Sequence, residues 1–188
     1  MNTVARCLLD GFDTHVSSGI LISHSGDNWD HRAHRSNPGV FTGLHGCAYV
    51  GIAQRAVGLL DMNKWHLGTT HLEGNMAMLW AAKKGHDTIV KTLLEQEAVT
   101  PNTTDQAGRT ALSWAAGNGC EGALKSLLEK DDVTHHTRDK GGRTPLSWAA
   151  GNGYGGIVEI PLEPRNVTSN TSDEAGRTPL SWTTGNRS

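Results

Sequence analysis

The chain has 188 residues, enough for one domain of ordinary size, and its formal net charge of -2 gives no overall electrostatic case for binding nucleic acid or an anionic membrane. No apolar run approaches the roughly 18–20 residues of a membrane span, and the first ten residues lack the pattern of a secretory signal. Three widely separated cysteines, Cys7, Cys47 and Cys120, disfavour a disulfide scaffold or a structural zinc site. We therefore expect an intracellular protein, cytoplasmic or else nuclear.

Residues 1–40 differ in composition from the rest of the chain, and we expect them to form a diverged N-terminal cap or a linker left from an upstream domain. They contain five side chains of metal-ligand type, at His24, Asp27, Asp30, His31 and His34. These have no cysteine partner, no HExxH motif and no second anchored half. A solvated polar cap is therefore favoured over a metal site, and no metal is predicted.

From about residue 41 onward, one short sequence recurs with a 34-residue period. A glycine opens each clear copy and a tryptophan follows, at Gly74, Gly108, Gly142 and Gly176 and at Trp80, Trp114, Trp148 and Trp182. With a more diverged first copy, the period predicts units near 41–73, 74–107, 108–141, 142–175 and, truncated, 176–188. A unit of this length cannot bury an apolar face alone, so stacking of neighbouring units must supply the core.

Each unit is predicted to be a helical hairpin followed by an extended turn. Thr144 suits an N-cap, Pro145 suits the first helical position, and Gly151 suits the end of a short helix. Residues 86–95 place their apolar side chains on one helical face, which predicts the second helix. The polar stretch 100–107 then turns the chain back towards the next unit.

The pattern Thr-Pro-Leu-x-x-Ala-Ala, then Gly, then Ile-Val-x-x-Leu-Leu resembles the ankyrin repeat from about Phe41 to Ser188. The repeated string GRTPLSWAAGNG is similar to fungal ankyrin arrays of the kind attached to NACHT-type receptor-like proteins. The resemblance implies an all-α solenoid of helix-turn-helix units, with about four and a half repeats. It also implies a non-catalytic protein that binds other proteins.

Two departures from the ankyrin pattern affect stability. The family histidine after Thr-Pro-Leu is kept at His45 but is serine at Ser113, Ser147 and Ser181, which puts some inter-repeat hydrogen bonding in doubt. Pro161 and Pro164 stand where a helix is expected, and a proline past the first turn costs about 3 kcal/mol or more. We therefore expect the chain beyond about Gly153 to be frayed or weakly docked.

Two segments, 117–122 and 151–156, match the GxGxxG fingerprint of nucleotide-binding proteins. In a nucleotide site these glycines follow a strand and open a helix. Here the preceding residues are predicted to be helical and the motif follows the period of the repeat. The segments are therefore predicted to be turns between helices, and no cofactor is expected. His135 and His136 are assigned to a loop.

The predicted binding residues lie on the projecting turns, with Asn75 in the earliest matching place, and on the inner helices. In ankyrin proteins these positions line the concave face that grips partners. The candidate partner-binding residues are Asn75, Lys83, Lys84, Gln106, Arg109, Lys140, Arg143 and Arg177. A regular arginine stripe suits the carboxylates of an acidic protein surface. The alternative is that these turns are simply solvated and bind no partner. For the tryptophan column, a ladder of rings packed between repeats is favoured over a binding interface.

The favoured function is a protein-protein interaction scaffold, as the recognition array of a receptor-like protein. An accessory or regulatory array of an enzyme whose catalytic domain this chain does not carry is the alternative from another class. A third hypothesis is self-association through an uncapped apolar C-terminal end. Neither an enzyme active site nor a nucleic-acid or membrane partner is expected.

Overall fold

The computed structural model describes residues 43–61, 70–97, 99–154 and 172–185. The helices in these ranges are α1 (Gly43–Val50), α2 (Ala53–Asp61), α3 (Thr70–Lys84), α4 (Asp87–Leu94), α5 (Ala111–Gly117), α6 (Glu121–Leu128), α7 (Pro145–Gly151) and α8 (Pro179–Gly185). The described part of the chain has no strand, and its one isolated β-bridge joins Thr104 to Thr110. The described architecture is therefore all-α, as the sequence predicts.

The helices form two layers. Helices α1, α3, α5, α7 and α8 each contact the next in this order and make the inner layer. Helices α2, α4 and α6 make the outer layer, and each also contacts the inner helix that precedes it in the chain. Successive hairpins therefore stack side by side, which is how the core forms between neighbouring units.

Local sequence explains where the short inner helices begin. The hydroxyl of Thr110 accepts a hydrogen bond from Ser113 N at 3.2 Å, and the hydroxyl of Thr144 accepts one from Ser147 N at 3.3 Å. Pro145 occupies the first turn of α7, where its missing N–H costs nothing. Both threonines are thus N-caps, which confirms the prediction made for Thr144.

The core combines alanines with larger apolar side chains in both layers. Ala115, Ala116, Ala149 and Ala150 are buried, so neighbouring inner helices approach closely. In α4 the residues Ile89, Val90 and Leu93 are buried, as their spacing predicts. The two layers are therefore held together by one continuous apolar cluster.

Helix α3 departs from the predicted repeat. The period predicts a turn at Gly74 and Asn75, but α3 already begins at Thr70 and both residues are helical. The prediction that Asn75 lies on a projecting turn is wrong. Its side chain is buried, and its Oδ1 accepts a hydrogen bond from Thr100 N at 2.7 Å. Asn75 therefore ties α3 to the segment that follows α4.

Several predictions fall outside the described residues. They are the N-terminal cap or linker at 1–40, the polar cluster His24, Asp27, Asp30, His31 and His34, and the prolines Pro161 and Pro164. The predicted weak docking beyond Gly153 falls mostly there as well. Its described part, 172–185, contains a turn and α8, which contacts α7.

Candidate protein-binding surface

An aspartate organises the turn that precedes α5. Oδ1 of Asp105 accepts hydrogen bonds from the backbone N–H of Ala107 at 2.8 Å and of Arg109 at 2.9 Å. Its Oδ2 accepts from Arg109 Nε at 3.1 Å and from Trp114 Nε1 at 3.1 Å. One carboxylate thus closes the turn and fixes both the arginine and the tryptophan of its unit.

The same arrangement recurs in the next turn. Oδ1 of Asp139 accepts from Gly141 N and from Arg143 N, each at 2.9 Å. Its Oδ2 accepts from Trp148 Nε1 at 2.9 Å. Two turns that are one repeat apart in the chain therefore place their aspartate and tryptophan side chains alike, whereas Arg143 bonds to the carboxylate only through its backbone N–H.

The turn before α8 uses Asp173. Its Oδ1 accepts from Ala175 N at 2.9 Å and Arg177 N at 2.8 Å, and its Oδ2 accepts from Arg177 Nε at 3.1 Å. Burial alone raises the pKa of Asp173, but the hydrogen bonds and charge of Arg177 and the Ala175 N–H lower it more. The net pKa lies below its ordinary value, so this carboxylate is held in its charged form.

The turns also bond to one another through the backbone. Lys140 N donates to Ala107 O at 2.8 Å, and Glu174 N donates to Gly141 O at 3.3 Å. The side chains at the tips, Gln106, Lys140 and Glu174, are exposed and occupy equivalent places in successive turns. The turn tips thus form a regular row.

Beside this row, tryptophans and cations alternate through four units. Lys83 Nζ lies 5.1 Å from the ring centre of Trp80 and 4.6 Å from that of Trp114. Arg109 Cζ lies 3.6 Å from Trp114 and 5.7 Å from Trp148. Each of these cations therefore lies near its own tryptophan and the one in the next unit, within the range of cation-π attraction.

The alternation continues to the last described unit. Arg143 Cζ lies 4.7 Å from Trp148 and 4.5 Å from Trp182, and Arg177 Cζ lies 3.9 Å from Trp182. Trp80 is buried, whereas the other three tryptophans are half-buried. We call this series the tryptophan–cation ladder; its members are Trp80, Lys83, Trp114, Arg109, Trp148, Arg143, Trp182 and Arg177.

Asparagines between the inner and outer helices fix the register of the ladder. Asn118 Nδ2 donates to Lys83 O at 3.1 Å, and Asn152 Nδ2 donates to Gly117 O at 2.6 Å. Both bonds join neighbouring units. They supply inter-unit contacts in the part of the array where the family histidine is replaced by serine.

The predicted binding residues separate into three groups. Lys83, Arg109, Arg143 and Arg177 belong to the ladder, and Gln106 and Lys140 lie at the exposed turn tips. Lys84 lies 4.4 Å from the ring centre of Tyr49, at the side of the ladder. Asn75 is buried and does not belong to this surface. We call the ladder together with Gln106, Lys140 and Glu174 the turn–helix surface.

Sequence reasoning missed the three aspartates. Asp105, Asp139 and Asp173 recur once in each repeat, four positions before the arginine and nine before the tryptophan. This regular recurrence was the signal from which the aspartates could have been found. What it could not show is that Arg109 and Arg177 each bond through Nε to the carboxylate of their own turn, so the predicted arginine stripe is not simply a row of unpaired charges.

The charge on this side of the molecule is nevertheless positive. Residues 83–84, 105–109, 138–143 and 173–177 contain seven lysines and arginines but four aspartates and glutamates. Three of those carboxylates are engaged by the hydrogen bonds of their own turns. The local excess of positive charge contrasts with the net charge of -2 for the whole chain.

The first glycine-rich segment, 117–122, contains the predicted turn, and the second is described only as far as residue 154. Gly117 ends α5, Gly119 lies in the turn and Gly122 lies within α6, so the first GxGxxG match follows a helix instead of a strand. His135 and His136 lie in the loop between α6 and α7. Among the residues that the structure describes, no three histidine, cysteine, aspartate or glutamate side chains are grouped as metal ligands.

A family model of ankyrin repeats (three copies) matches residues 44–137, which is half of the chain. The chain belongs to the ankyrin-repeat family. Ankyrin repeats generally mediate protein-protein interactions, and ankyrin domains are typically non-catalytic. No curated protein matches the chain. Within the described ranges, every helix of this ankyrin protein is too short or too polar to cross a membrane.

Proposed function

We propose that this ankyrin protein is a non-catalytic binding scaffold that engages a partner protein through the turn–helix surface. The observation that carries the proposal is the tryptophan–cation ladder, which continues through four units. Tryptophan and arginine are the residue types most often found at binding hot spots. Because the aspartates already fix the side chains of Trp114, Trp148, Arg109 and Arg177, little of their side-chain entropy remains to be lost on binding.

The finer role that we propose is recognition within a receptor-like protein in the cytoplasm, in the manner of the fungal arrays that these repeats resemble. The near-identity of the strings that begin at Gly108, Gly142 and Gly176 supports tandem duplication of one recognition unit. Sequencing of full-length transcripts tests this role. A reading frame that continues into a nucleotide-binding domain supports it, and a reading frame confined to these residues contradicts it.

The binding surface is tested by two charge-reversal variants. In Arg109→Glu/Arg143→Glu two cations of the ladder are reversed. Lys91 and Lys125 are exposed on the outer helices α4 and α6, so Lys91→Glu/Lys125→Glu makes the same charge change on another face. We expect cross-linked partners to be captured by the intact chain and by the Lys91/Lys125 variant, and to be lost from the Arg109/Arg143 variant. Capture of the same partners by all three proteins contradicts the proposed surface.

Self-association is a second candidate function, and one observation favours it. Leu180 is 73% exposed, whereas the equivalent Leu112 and Leu146 are 2% and 7% exposed. An exposed leucine in the last described helix is a place where a second copy would gain apolar contact. Sedimentation equilibrium tests this: an oligomer that Leu180→Gln dissociates supports it, and a monomer at all concentrations contradicts it.

A further inference from the structure

The turns before α5, α7 and α8 are built on nearly the same sequence. Residues 105–114, 139–148 and 173–182 share their aspartate, glycine, arginine, threonine, leucine, serine and tryptophan at equal places, and they differ at three others. Two of the differing places exchange alanine for glycine or proline. The third is the turn tip, where the residues are Gln106, Lys140 and Glu174. The tip is therefore the one place in these segments where the charge changes from unit to unit.

The shared part of the turn does not distinguish one unit from the next. Each of the three units places the same arginine and the same tryptophan in the ladder. The aspartate of each turn lies beside its arginine, so it offsets the arginine charge in every unit alike. A partner therefore meets an equivalent ladder at each of these units, which supplies contact area without selecting between partners of different charge.

The charged tips are accessible to a partner. Lys140 and Glu174 are exposed, and the described part of the chain provides no hydrogen-bond or ion-pair partner for the Lys140 ammonium or the Glu174 carboxylate. Their backbones are fixed, since Lys140 N donates to Ala107 O beside the preceding tip, and Glu174 N donates to Gly141 O. Neighbouring tips are thus held next to one another, whereas their charged groups remain available for binding.

The surroundings of the two charged tips have opposite charge. Residues 138–143 contain three cationic side chains and one carboxylate, whereas residues 173–177 contain one cation and two carboxylates. Opposite charges across an interface attract, and like charges placed opposite each other cost free energy. Such groups at the exposed edge of an interface determine which partner is accepted more than how tightly it binds.

We propose, on the basis of the protein-binding function above, that the turn tips select the partner by the order of its charges. The partner presents a carboxylate to Lys140 and, beside it, a lysine or arginine to Glu174. The ladder supplies the contact that the units have in common. Lys140 and Glu174 are thus the specificity-determining residues of the turn–helix surface, and a partner with the reversed order of charges is rejected.

An exchange of the two tip charges tests this order. Peptides are selected from a random phage-displayed library with the full chain, and their affinities are measured by fluorescence anisotropy. Lys140→Glu/Glu174→Lys leaves the net charge unchanged, and Lys125→Glu/Glu129→Lys makes the same exchange at exposed positions of the outer layer. We expect the tip exchange to weaken binding about tenfold, because two attractive pairs become repulsive, and the outer exchange to leave binding unchanged.

Exchange of the charges in the peptide provides the decisive control. A synthetic copy of a selected peptide, with its acidic and basic residues exchanged, is expected to bind the tip variant more tightly than the intact chain, because the matching order is restored. A loss of folding cannot produce this reversal. Equal binding of the selected peptides by the intact chain and the tip variant, no reversal with the exchanged peptides, or selection of no peptide would overturn the proposal.

The tips and the surface fail separately. If Arg109→Glu/Arg143→Glu loses the selected peptides but the tip exchange keeps them, the turn–helix surface binds the partner and the tips do not select it. If both variants keep the peptides, the proposed surface is wrong as well, and the proposal for the tips falls with it.

Discussion

Residues 71–76 and 105–110 occupy the same place in the repeat, but the first segment is helical and the second is a turn. The turn depends on Asp105, whose carboxylate bonds to two backbone N–H groups, and on Thr110, which caps α5. In the earlier segment these places are taken by His71 and Met76. Methionine has no oxygen with which to cap a helix.

The comparison shows that the period sets where a unit lies, whereas a few polar side chains decide its local conformation. A segment without the aspartate and the capping threonine of this turn satisfies its N–H groups by continuing the helix. Helix α3 therefore extends to Thr70, while α5 and α7 start at their threonine-capped positions. The ladder also differs in this unit, because its cation is Lys83 of helix α3 instead of an arginine of the preceding turn.

The largest effect is expected from removal of the carboxylate that makes the turn. Asp105→Ala leaves two backbone N–H groups and the Trp114 indole N–H without their acceptor. We expect the free energy of unfolding to fall by about 3 kcal/mol, measured by urea denaturation. Glu97→Ala, at an exposed position, is the control and is expected to change it by less than about 0.5 kcal/mol. Equal effects of the two substitutions would show that the turn does not depend on this carboxylate.

Alanine substitution of two glycines tests the difference between the turn and the helix, because the two changes in stability are expected to have opposite signs. Gly108 has a φ of +80°, and a Cβ added there would lie 3.1 Å from Lys140 N in the next turn. Gly108→Ala is therefore expected to destabilise the protein by about 2 kcal/mol. Gly74 lies within helix α3, so Gly74→Ala is expected to stabilise it by up to about 1 kcal/mol. Chemical denaturation of the two variants decides the matter: changes of the same sign contradict the assigned conformations.

The fold was predictable from the sequence because its signals are local and repeated. The glycine and tryptophan columns gave the period, and Thr144 with Pro145 marked the start of an inner helix correctly. The prediction for Asn75 was wrong because the period was extended to a copy that lacks the polar residues of the turn. Side-chain chemistry at residues 71 and 76, rather than register, would have revealed the difference.

The binding surface was predictable only in part. The arginine column and Lys83 were identified from their positions, but their contacts with tryptophan arise between units. Arg109 lies near Trp148, which belongs to the next unit, only because α5 and α7 pack side by side. The sequence of one unit does not show whether its arginine contacts the tryptophan ring of the next unit. The aspartates are visible as a column in the sequence. Which groups their carboxylates bond to depends on the three-dimensional path of the turn, which the sequence does not show.

The smallest effect is expected from a change of pH, which should alter the stability of the turns and not that of α3. The pKa of Asp173 is lowered in the folded protein, chiefly because the bonds and charge of Arg177 outweigh the effect of burial. A carboxylate with a lowered pKa contributes stability above its unfolded pKa, about 3.9, and loses that contribution as pH falls through the folded value. We expect the amides of Ala175 and Arg177 to lose hydrogen-exchange protection below about pH 4, before those of α3. Asp173→Asn should abolish this local pH dependence, and protection that falls equally in α3 and in the last turn would contradict the role of the carboxylate.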